Sequence, residues 1–453
     1  MELATEILDK HASVTSDRPR DVMTHELIGW GNSPAFRNQD EVQKKMRRIL
    51  ASALHPTIAR SYASQHLDPA MSLLREVASN PSSFMESIDA AIGSFTVRLA
   101  YGYSPKTKQD PIFMLVHDAA RYGLTSLAQH WLVNDFPLLK YIPSWFPGAE
   151  FRRIGKRGHT ARIRYADTLF NMVLNQVGKG QVEQPSYVSG LIESKGGVNI
   201  NSDDTYLIKW SGASIFTGAL QRVALLTCVT HYPLYSPTPV SQTSSLIKSF
   251  FLMVCLYPEA AKKAQAEIDS VVGRERTPSL QGRSSLPYTD ALVQEVMRMH
   301  PLIPLGLAHL ATEDIEFQGC QIPKGSIIGA NMWAILRDPN HFSTPHIFNP
   351  SRFLGSKPEL DARKFIIGFG RRVCPGFYVA NNAAWVTCAG LLSVFDMQAG
   401  PQLAAQVASL GGRESERLYE LTEPYGVGDP LPFDCRIKLR DSAAMATLDY
   451  STE

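Results

Sequence analysis

A cysteine follows a glycine-rich, basic loop in the stretch IIGFGRRVCPGFYVANNAAWVTCAGLLSVF, which covers residues 366–395. Cys374 comes just before an apolar run, so we expect it to face the unpaired N–H groups and positive dipole end of a helix. Both favour a thiolate, the form of cysteine that binds metals. Gly368 and Gly370 would let the loop approach a large flat group, while Arg371 and Arg372 would add charge suited to carboxylates. Taken alone, however, Cys374 is more readily explained as a buried structural thiol, which is the commoner fate of a lone cysteine.

Upstream of this loop, charged residues recur at helical spacing. The stretch EVMR places Glu295 and Arg298 at positions i and i+3, within ion-pair reach on one helix face. Such a pair is usually only a surface salt bridge.

The cysteine loop G-F-G-R-R-V-C-P-G resembles the haem-ligand loop of cytochromes P450, F-G-x-G-x-R-x-C-x-G, with Ile367 in place of the leading Phe. The resemblance implies that the Cys374 thiolate is the axial ligand of the iron in haem b. It also implies a set of cofactor-binding residues in the same loop: Gly368, Gly370, Arg372 and Gly376.

Three further stretches resemble the same family in the same order. EVMRMHPLIPLG and FNPSRF match the segments whose Glu and two Arg residues form a structural lock, here Glu295, Arg298 and Arg352. The resemblance places His309 at a haem propionate and lets residues 305–307 face the substrate, namely Leu305, Gly306 and Leu307. In the early helix EVQKKMRR, Arg47 takes a propionate-binding position, whereas Gln43 stands where the family has Trp.

The family's oxygen-activating helix corresponds to residues 215–251 and is interrupted. Its central acid and alcohol relay protons, but this chain has no Asp or Glu between Thr205 and Pro258. Thr243 is the candidate alcohol. Pro233, Pro237 and Pro239 exclude a continuous helix, because each interior proline costs about 3 kcal/mol. We expect residues 220–241 to be an insertion, either a translated unspliced intron or a genuine loop.

Composition is that of a globular protein with a large core. The 453 residues are 44% hydrophobic and 19% charged, and the net charge of +2 gives no case for a nucleic-acid partner. The six cysteines include no C-x-x-C pair, which argues against a zinc site or disulfide framework and fits a reducing compartment. Helical periodicity dominates, with one hairpin-like stretch at IEFQGCQIPKGSIIGAN. We therefore expect the cytochrome P450 fold, mainly α with a small β region: one domain over 1–440 and a disordered tail over 441–453.

The resemblance is closest to fungal secondary-metabolism members, through SDRPR, DFPLLKYIPSWFPGAEF and KKAQAEIDSVVG. It implies a haem-thiolate monooxygenase that oxidises an apolar small molecule with O2 and with electrons from NADPH through a cytochrome P450 reductase. The basic residues Lys364, Arg371 and Arg372 could dock that acidic partner. The alternative is a non-catalytic or defective haem-binding product that lacks the proton-relay acid.

The family resemblance also implies a location on the endoplasmic reticulum surface. We find no N-terminal anchor in the sequence and expect the chain to begin after the family's anchor and proline hinge, which leaves a cytoplasmic location open. PLLKYIPSWFPGAEF combines aromatic and aliphatic residues with flanking basic ones, a mixture that suits a peripheral membrane contact and equally an ordinary packed loop.

Overall fold

The structure is a computed structural model that describes residues 1–57, 63–105, 107, 110–128, 130–219, 242–413, 416–422 and 428–449. Over these residues the chain is mainly helical with a few short strand pairs, which confirms the predicted fold class. The predicted insertion, 220–241, lies outside the described residues.

Helices account for most of the described chain, as the dominant helical periodicity of the sequence predicted. In chain order the α-helices are α1 (Glu2–Thr5), α2 (Glu41–Leu54), α3 (Ala63–Ser79), α4 (Phe84–Tyr101), α5 (Pro111–Ala128), α6 (Leu132–Asp135), α7 (Glu150–Gly178), α8 (Tyr187–Ser194), α9 (Ser202–Ala219), α10 (Gln242–Leu256), α11 (Pro258–Val271), α12 (Pro287–Met299), α13 (Met332–Ile335), α14 (Arg363–Ile366), α15 (Phe377–Val394), α16 (Pro401–Ser409) and α17 (Ser442–Asp449).

The strands form antiparallel pairs. They are β1 (His309–Leu310), β2 (Ile315–Phe317), β3 (Cys320–Ile322), β4 (Ile327–Ile328), β5 (Phe395–Ala399) and β6 (Cys435–Leu439), paired as β1 with β4, β2 with β3 and β5 with β6. The β2–β3 pair confirms the predicted hairpin. Its two-residue turn, Gln318–Gly319, has φ of 49° and 76°, the left-handed conformation that a tight hairpin turn requires.

The main core lies where α3, α10 and α15 pack together. Phe250, Trp385 and Leu391 are fully buried there, and each such side chain contributes about 2–3 kcal/mol by leaving water. Gly390 lets α3 approach closely, since a Cβ at this position would lie 3.1 Å from a methyl group of Leu74. Among the described helices, α15 is the one long and apolar enough to cross a membrane, yet 72% of it is buried in this core.

The C-terminal segment corrects one expectation. We expected disorder over 441–453, but residues 442–449 form α17, with Ala444 and Leu448 buried against the core. The Asp441 carboxylate accepts a hydrogen bond from the Ala444 N–H at 2.9 Å, and Arg75 donates to the Leu448 carbonyl at 2.8 Å. An N-cap and tertiary contacts therefore order a segment whose composition alone suggested none. Residues 450–453 lie outside the described chain, and the single domain over 1–440 stays a prediction.

Candidate functional site

Cys374 lies at the N-terminal end of α15, as the sequence predicted. Its N–H donates to the Ile367 carbonyl at 2.8 Å, which closes the loop. Cys374 is exposed by its surface area, yet many protein atoms lie around its sulfur. This combination is expected for a group that lines an enclosed space. Burial raises the pKa of the thiol, and the N–H groups of Gly376 and Phe377 and the Arg47 guanidinium oppose that rise without cancelling it. Without a cation the thiol is therefore favoured over the thiolate, and a bound metal ion would reverse this preference.

The glycines of the loop act differently from our expectation. Gly368 and Gly370 have φ of 85° and 50°, so both serve tight turns that an L side chain would strain. A Cβ on Gly370 would lie 2.4 Å from the Leu8 carbonyl oxygen, so its small size admits the N-terminal segment rather than a flat ligand. Gly376 caps α15 and presents its N–H to the Cys374 sulfur.

Arg18, Arg47, Arg372 and His309 form a group that we call the cationic cluster. Burial, Arg372 and Arg47 lower the pKa of Arg18 to about 9, and burial and Arg47 lower that of Arg372 to about 10. Burial, Arg18 and Arg372 lower the pKa of His309 to about 4. Burial is the largest cause of each shift, and the neighbouring guanidiniums add to it.

The hydrogen bonds of the cationic cluster use only part of its donors. Arg372 donates to the carbonyls of Ser16 (2.5 Å) and two later residues, and Arg47 donates to the Val373 carbonyl at 2.6 Å. No described residue accepts from Nη2 of Arg18. The cluster thus has more positive charge and more donors than the described protein satisfies, which is what a ligand carrying two carboxylates needs. Haem b, with its iron and two propionates, fits both this cluster and the Cys374 thiol.

The predicted lock residues meet in the core. Arg298 donates to both carboxylate oxygens of Glu295 at 2.8 and 2.9 Å, and Arg352 donates to the same carboxylate at 3.1 Å. The Asn349 N–H adds a fourth bond at 2.8 Å. The two guanidiniums also donate to backbone carbonyls within residues 336–347. These contacts fix the chain that leads into α14 and the Cys374 loop, and they lie on a different set of side chains from the cationic cluster.

The predicted substrate residues lie beside the cationic cluster. Leu305 and Leu307 keep 66% and 38% of their surface exposed, which is unusual for leucine in a folded chain. The Leu307 carbonyl accepts a hydrogen bond from Arg18 at 3.0 Å, and Gly306 has φ of 64°. Exposed apolar side chains therefore adjoin the residues that could hold a haem.

Thr243 lies in the first turn of α10 and is nearly buried. The next residues of the helix face a buried charged group from other elements. Ser244 donates to the Asp89 carboxylate of α4, and the Lys248 ammonium lies 2.8 Å from Asp89 and 3.8 Å from Asp429. The segment lacks an acid of its own, but α4 brings one to it.

Sequence reasoning missed several of these residues. Arg18 was noted only within the SDRPR stretch, and its buried position depends on contacts with residues almost 300 positions away. Asp89, Lys248 and Asp429 carried no motif. The signal that could have found them is a lysine in an otherwise apolar helix, because a buried lysine requires a carboxylate partner.

Comparison with known proteins shows what the whole chain is similar to. The family model "Cytochrome P450" matches residues 240–406. The chain is 30% identical to cytochrome P450 monooxygenase claR of Ampulloclitocybe clavipes, a match that covers 98% of this chain and 78% of that protein. It is 32% identical to cytochrome P450 monooxygenase ppsD of Aspergillus oryzae, over 97% of this chain and 79% of that protein. A zebrafish cytochrome P450 solved with progesterone has the same fold, with a TM-score of 0.72 and 22% identity over 96% of this chain and 92% of that one.

Proposed function

This chain belongs to the cytochrome P450 monooxygenase family, and on that premise we propose that it oxidises an apolar small molecule in fungal secondary metabolism. The observation that carries the proposal is the Cys374 thiol at the start of α15, adjoined by the cationic cluster. Exposed Leu305 and Leu307 favour an apolar substrate, such as a terpenoid, a polyketide or an aromatic compound.

Each part of the site has a definite task. Haem, when bound, supplies oxygen activation, with the overall result that RH, O2, two electrons and two protons give ROH and water. Cys374 would bind its iron, and Arg18, Arg47 and Arg372 would hold its carboxylates. Because Nδ1 of His309 lies 2.7 Å from the Thr15 carbonyl and donates to it, neutral His309 offers only a lone pair at Nε2. His309 would therefore assist a carboxylate only after taking up a proton.

Proton delivery is the weak part of the site. Thr243 could hold a proton at its Oγ1 atom, but no acid precedes it in its own helix segment. This observation favours the second candidate function, a haem-binding product without normal turnover. Sequencing the transcript across codons 219–243 distinguishes the two possible origins of the insertion at residues 220–241. A spliced message that lacks the insertion indicates a retained intron, and its presence in every message indicates a genuine loop.

The electron donor we propose is NADPH, acting through a cytochrome P450 reductase. Exposed basic side chains occur at Lys364 and Arg371 near the Cys374 loop and on α2, which contacts the loop through Arg47: Lys44, Lys45 and Arg48. Arg372 is buried and belongs to the cationic cluster, so it is not part of this surface and stays a candidate for haem binding. A face of this charge suits an acidic partner.

The chain's location, we propose, is the endoplasmic reticulum surface, with the segment 132–146 as a membrane contact. Large apolar side chains there are exposed, including Leu138 (80%), Tyr141 (72%) and Trp145 (79%). Exposed basic residues follow in α7. Vesicle flotation tests this: anionic vesicles should carry the wild type, and Leu138→Asp or Trp145→Asp should release it. Val198→Asp, which changes an exposed apolar residue elsewhere, should bind normally, and unchanged flotation of both test variants contradicts the contact.

The main test uses the full chain expressed with haem. The reduced carbon monoxide complex should show the spectrum of thiolate ligation, which Cys374→Ser should abolish and Cys320→Ser, at an exposed cysteine, should leave intact. Turnover of apolar substrates with NADPH and reductase supports the monooxygenase. Turnover with peroxide alone supports the second candidate, because peroxide supplies oxygen and protons without a relay. A folded chain that binds no haem refutes both.

A further inference from the structure

Two cysteines from distant parts of the chain lie in contact inside the core. Cys255 is in the last turn of α10 and Cys435 is the first residue of β6, 180 positions later. Both are free thiols, and their sulfur atoms are 3.4 Å apart. A disulfide holds its sulfurs about 2.05 Å apart, so a shift of about 1.4 Å would join them.

The surrounding structure holds both residues at this contact. Cys255 lies in the main core and belongs to a regular helix. Asp434, next to Cys435, accepts hydrogen bonds at its carboxylate from the N–H groups of Gln402 (3.0 Å) and Leu403 (2.7 Å). Its carbonyl accepts another from the Gly400 N–H at 3.0 Å. These contacts hold the backbone beside both cysteines in place.

We propose that Cys255 and Cys435 are an oxidation site that forms a reversible disulfide, tying α10 to the β5–β6 pair. Neither residue belongs to the Cys374 loop, the cationic cluster or the lock, so the inference is independent of the proposed reaction. The bond would fasten the C-terminal end of the same helix whose first turn carries Thr243.

The chemistry needs a disulfide or peroxide oxidant, and glutathione disulfide serves as the example. The half-buried Cys435 thiolate attacks one glutathione sulfur, forms a mixed disulfide and releases one glutathione thiolate. Cys255 then loses its proton, attacks the Cys435 sulfur and releases the second glutathione. In sum, two protein thiols and one glutathione disulfide give one protein disulfide and two glutathione thiols. The hydrogen bond with Cys435 and burial raise the pKa of Cys255, which explains why it reacts second.

Two other described cysteines, Cys388 and Cys320, show how selective oxidation of the Cys255–Cys435 pair would be. Cys388 is fully buried and burial raises its pKa, which keeps it unreactive. Cys320 is exposed on β3, so it reports how far the oxidant modifies an accessible thiol. The disulfide would close a loop of 180 positions, and restricting the unfolded chain over so long a loop should raise the melting temperature by about 2–5 °C.

The test incubates the full-length, haem-loaded chain in glutathione buffers of increasing oxidised fraction, followed by acid quenching, alkylation, digestion and mass spectrometry. We expect a cross-linked peptide pair containing Cys255 and Cys435 that grows with the oxidised fraction and vanishes on reduction. Cys320→Ser should keep the cross-link. The Cys255→Ser and Cys435→Ser variants should lose the cross-link. If Cys255→Ser does not fold, Cys255→Val replaces it, because valine fills the same buried volume without a thiol. The rise in melting temperature should be present in the wild type and Cys320→Ser and absent in Cys255→Val.

Two results would overturn the proposal. One is extensive glutathione modification of Cys320 or Cys435 in the folded chain without any Cys255–Cys435 cross-link. The other is a cross-link that appears only in denaturant, which would show that the folded contact does not guide the pairing.

Discussion

Replacing Glu295 by Gln should destabilise the protein strongly while preserving the shape of the side chain. The carboxylate is fully buried and accepts four hydrogen bonds, from Arg298 (two), Arg352 and the Asn349 N–H. The amide carries no charge, so the buried Arg298 guanidinium would lose its carboxylate partner, and Arg352 would keep only Glu359. Breaking a buried ion pair in this way costs about 3–5 kcal/mol.

That cost lowers the folding equilibrium constant by about two to four orders of magnitude, since 1.4 kcal/mol corresponds to a factor of ten. The assay is urea unfolding of the haem-loaded chain, followed by circular dichroism and tryptophan fluorescence. Glu359→Gln is the matched control: Glu359 also binds Arg352, at 2.7 Å, but keeps 18% of its side-chain surface in contact with solvent. Its loss should cost less, about 1 kcal/mol, because solvent reaches the Glu359 carboxylate and Arg352 keeps its bond to Glu295.

The folded fraction of the Glu295→Gln variant should keep the spectrum of thiolate ligation, because none of the lock residues touches Cys374. A variant with the stability of Glu359→Gln would refute the reasoning, since it would show that the two guanidiniums do not depend on this carboxylate. A stable variant that lost thiolate ligation would instead give Glu295 a role at the metal.

Three further outcomes follow from the same physical arguments. Arg372→Met should weaken haem retention by about tenfold or more, measured by competition with apomyoglobin, because Arg372 lies in the cationic cluster. The control Arg371→Met changes the exposed neighbour, which lies outside the cluster, and should retain haem normally. Burial and a neighbouring guanidinium lower the pKa of His300 to about 3, against about 6.5 in the unfolded chain. As the pH falls below 6.5, only the unfolded chain takes up this proton, so the free energy of unfolding should drop by about 2 kcal/mol between pH 6.5 and 5. Urea titrations measure this drop, and the His300→Asn variant should not show it. Lys248→Met should cost about 3–5 kcal/mol because it removes the buried ammonium beside the Asp89 and Asp429 carboxylates, and adding Asp89→Asn should restore part of that stability. Equal stability of the single and double variants would show that Lys248 and Asp89 are not coupled.

Motif and periodicity were enough to predict the helices, the β2–β3 hairpin and the Glu295–Arg298 pair, whereas the place of Arg352 in the lock came from the family resemblance. These features depend on local spacing: three or four residues per turn, two residues in a tight turn, and a short motif that carries both partners. The lock residues Glu295 and Arg298 are three positions apart, so one helix face brings them together before any tertiary contact forms.

The same reasoning failed where distant segments meet. Gly370 was assigned to a cofactor, yet its small size serves the Leu8 carbonyl, more than 350 positions away. Arg18 reaches the site through backbone carbonyls of residues 307 and 308, and α17 is ordered by a hydrogen bond from Arg75. No local pattern encodes such pairings, because each depends on how the whole chain packs.

Asp89 shows how structure refines the question of proton delivery. It is the acid that α4 brings to the first turns of α10, through Ser244 and Lys248. An ammonium at 2.8 Å and the Ser244 hydroxyl both contact this carboxylate, so its oxygens already take part in structural contacts. Asp89 therefore neutralises Lys248 rather than replacing the missing acid. It follows that peroxide-driven turnover should exceed reductase-driven turnover in this chain, and that Asp89→Asn should lower stability without changing the ratio of the two rates in the folded fraction.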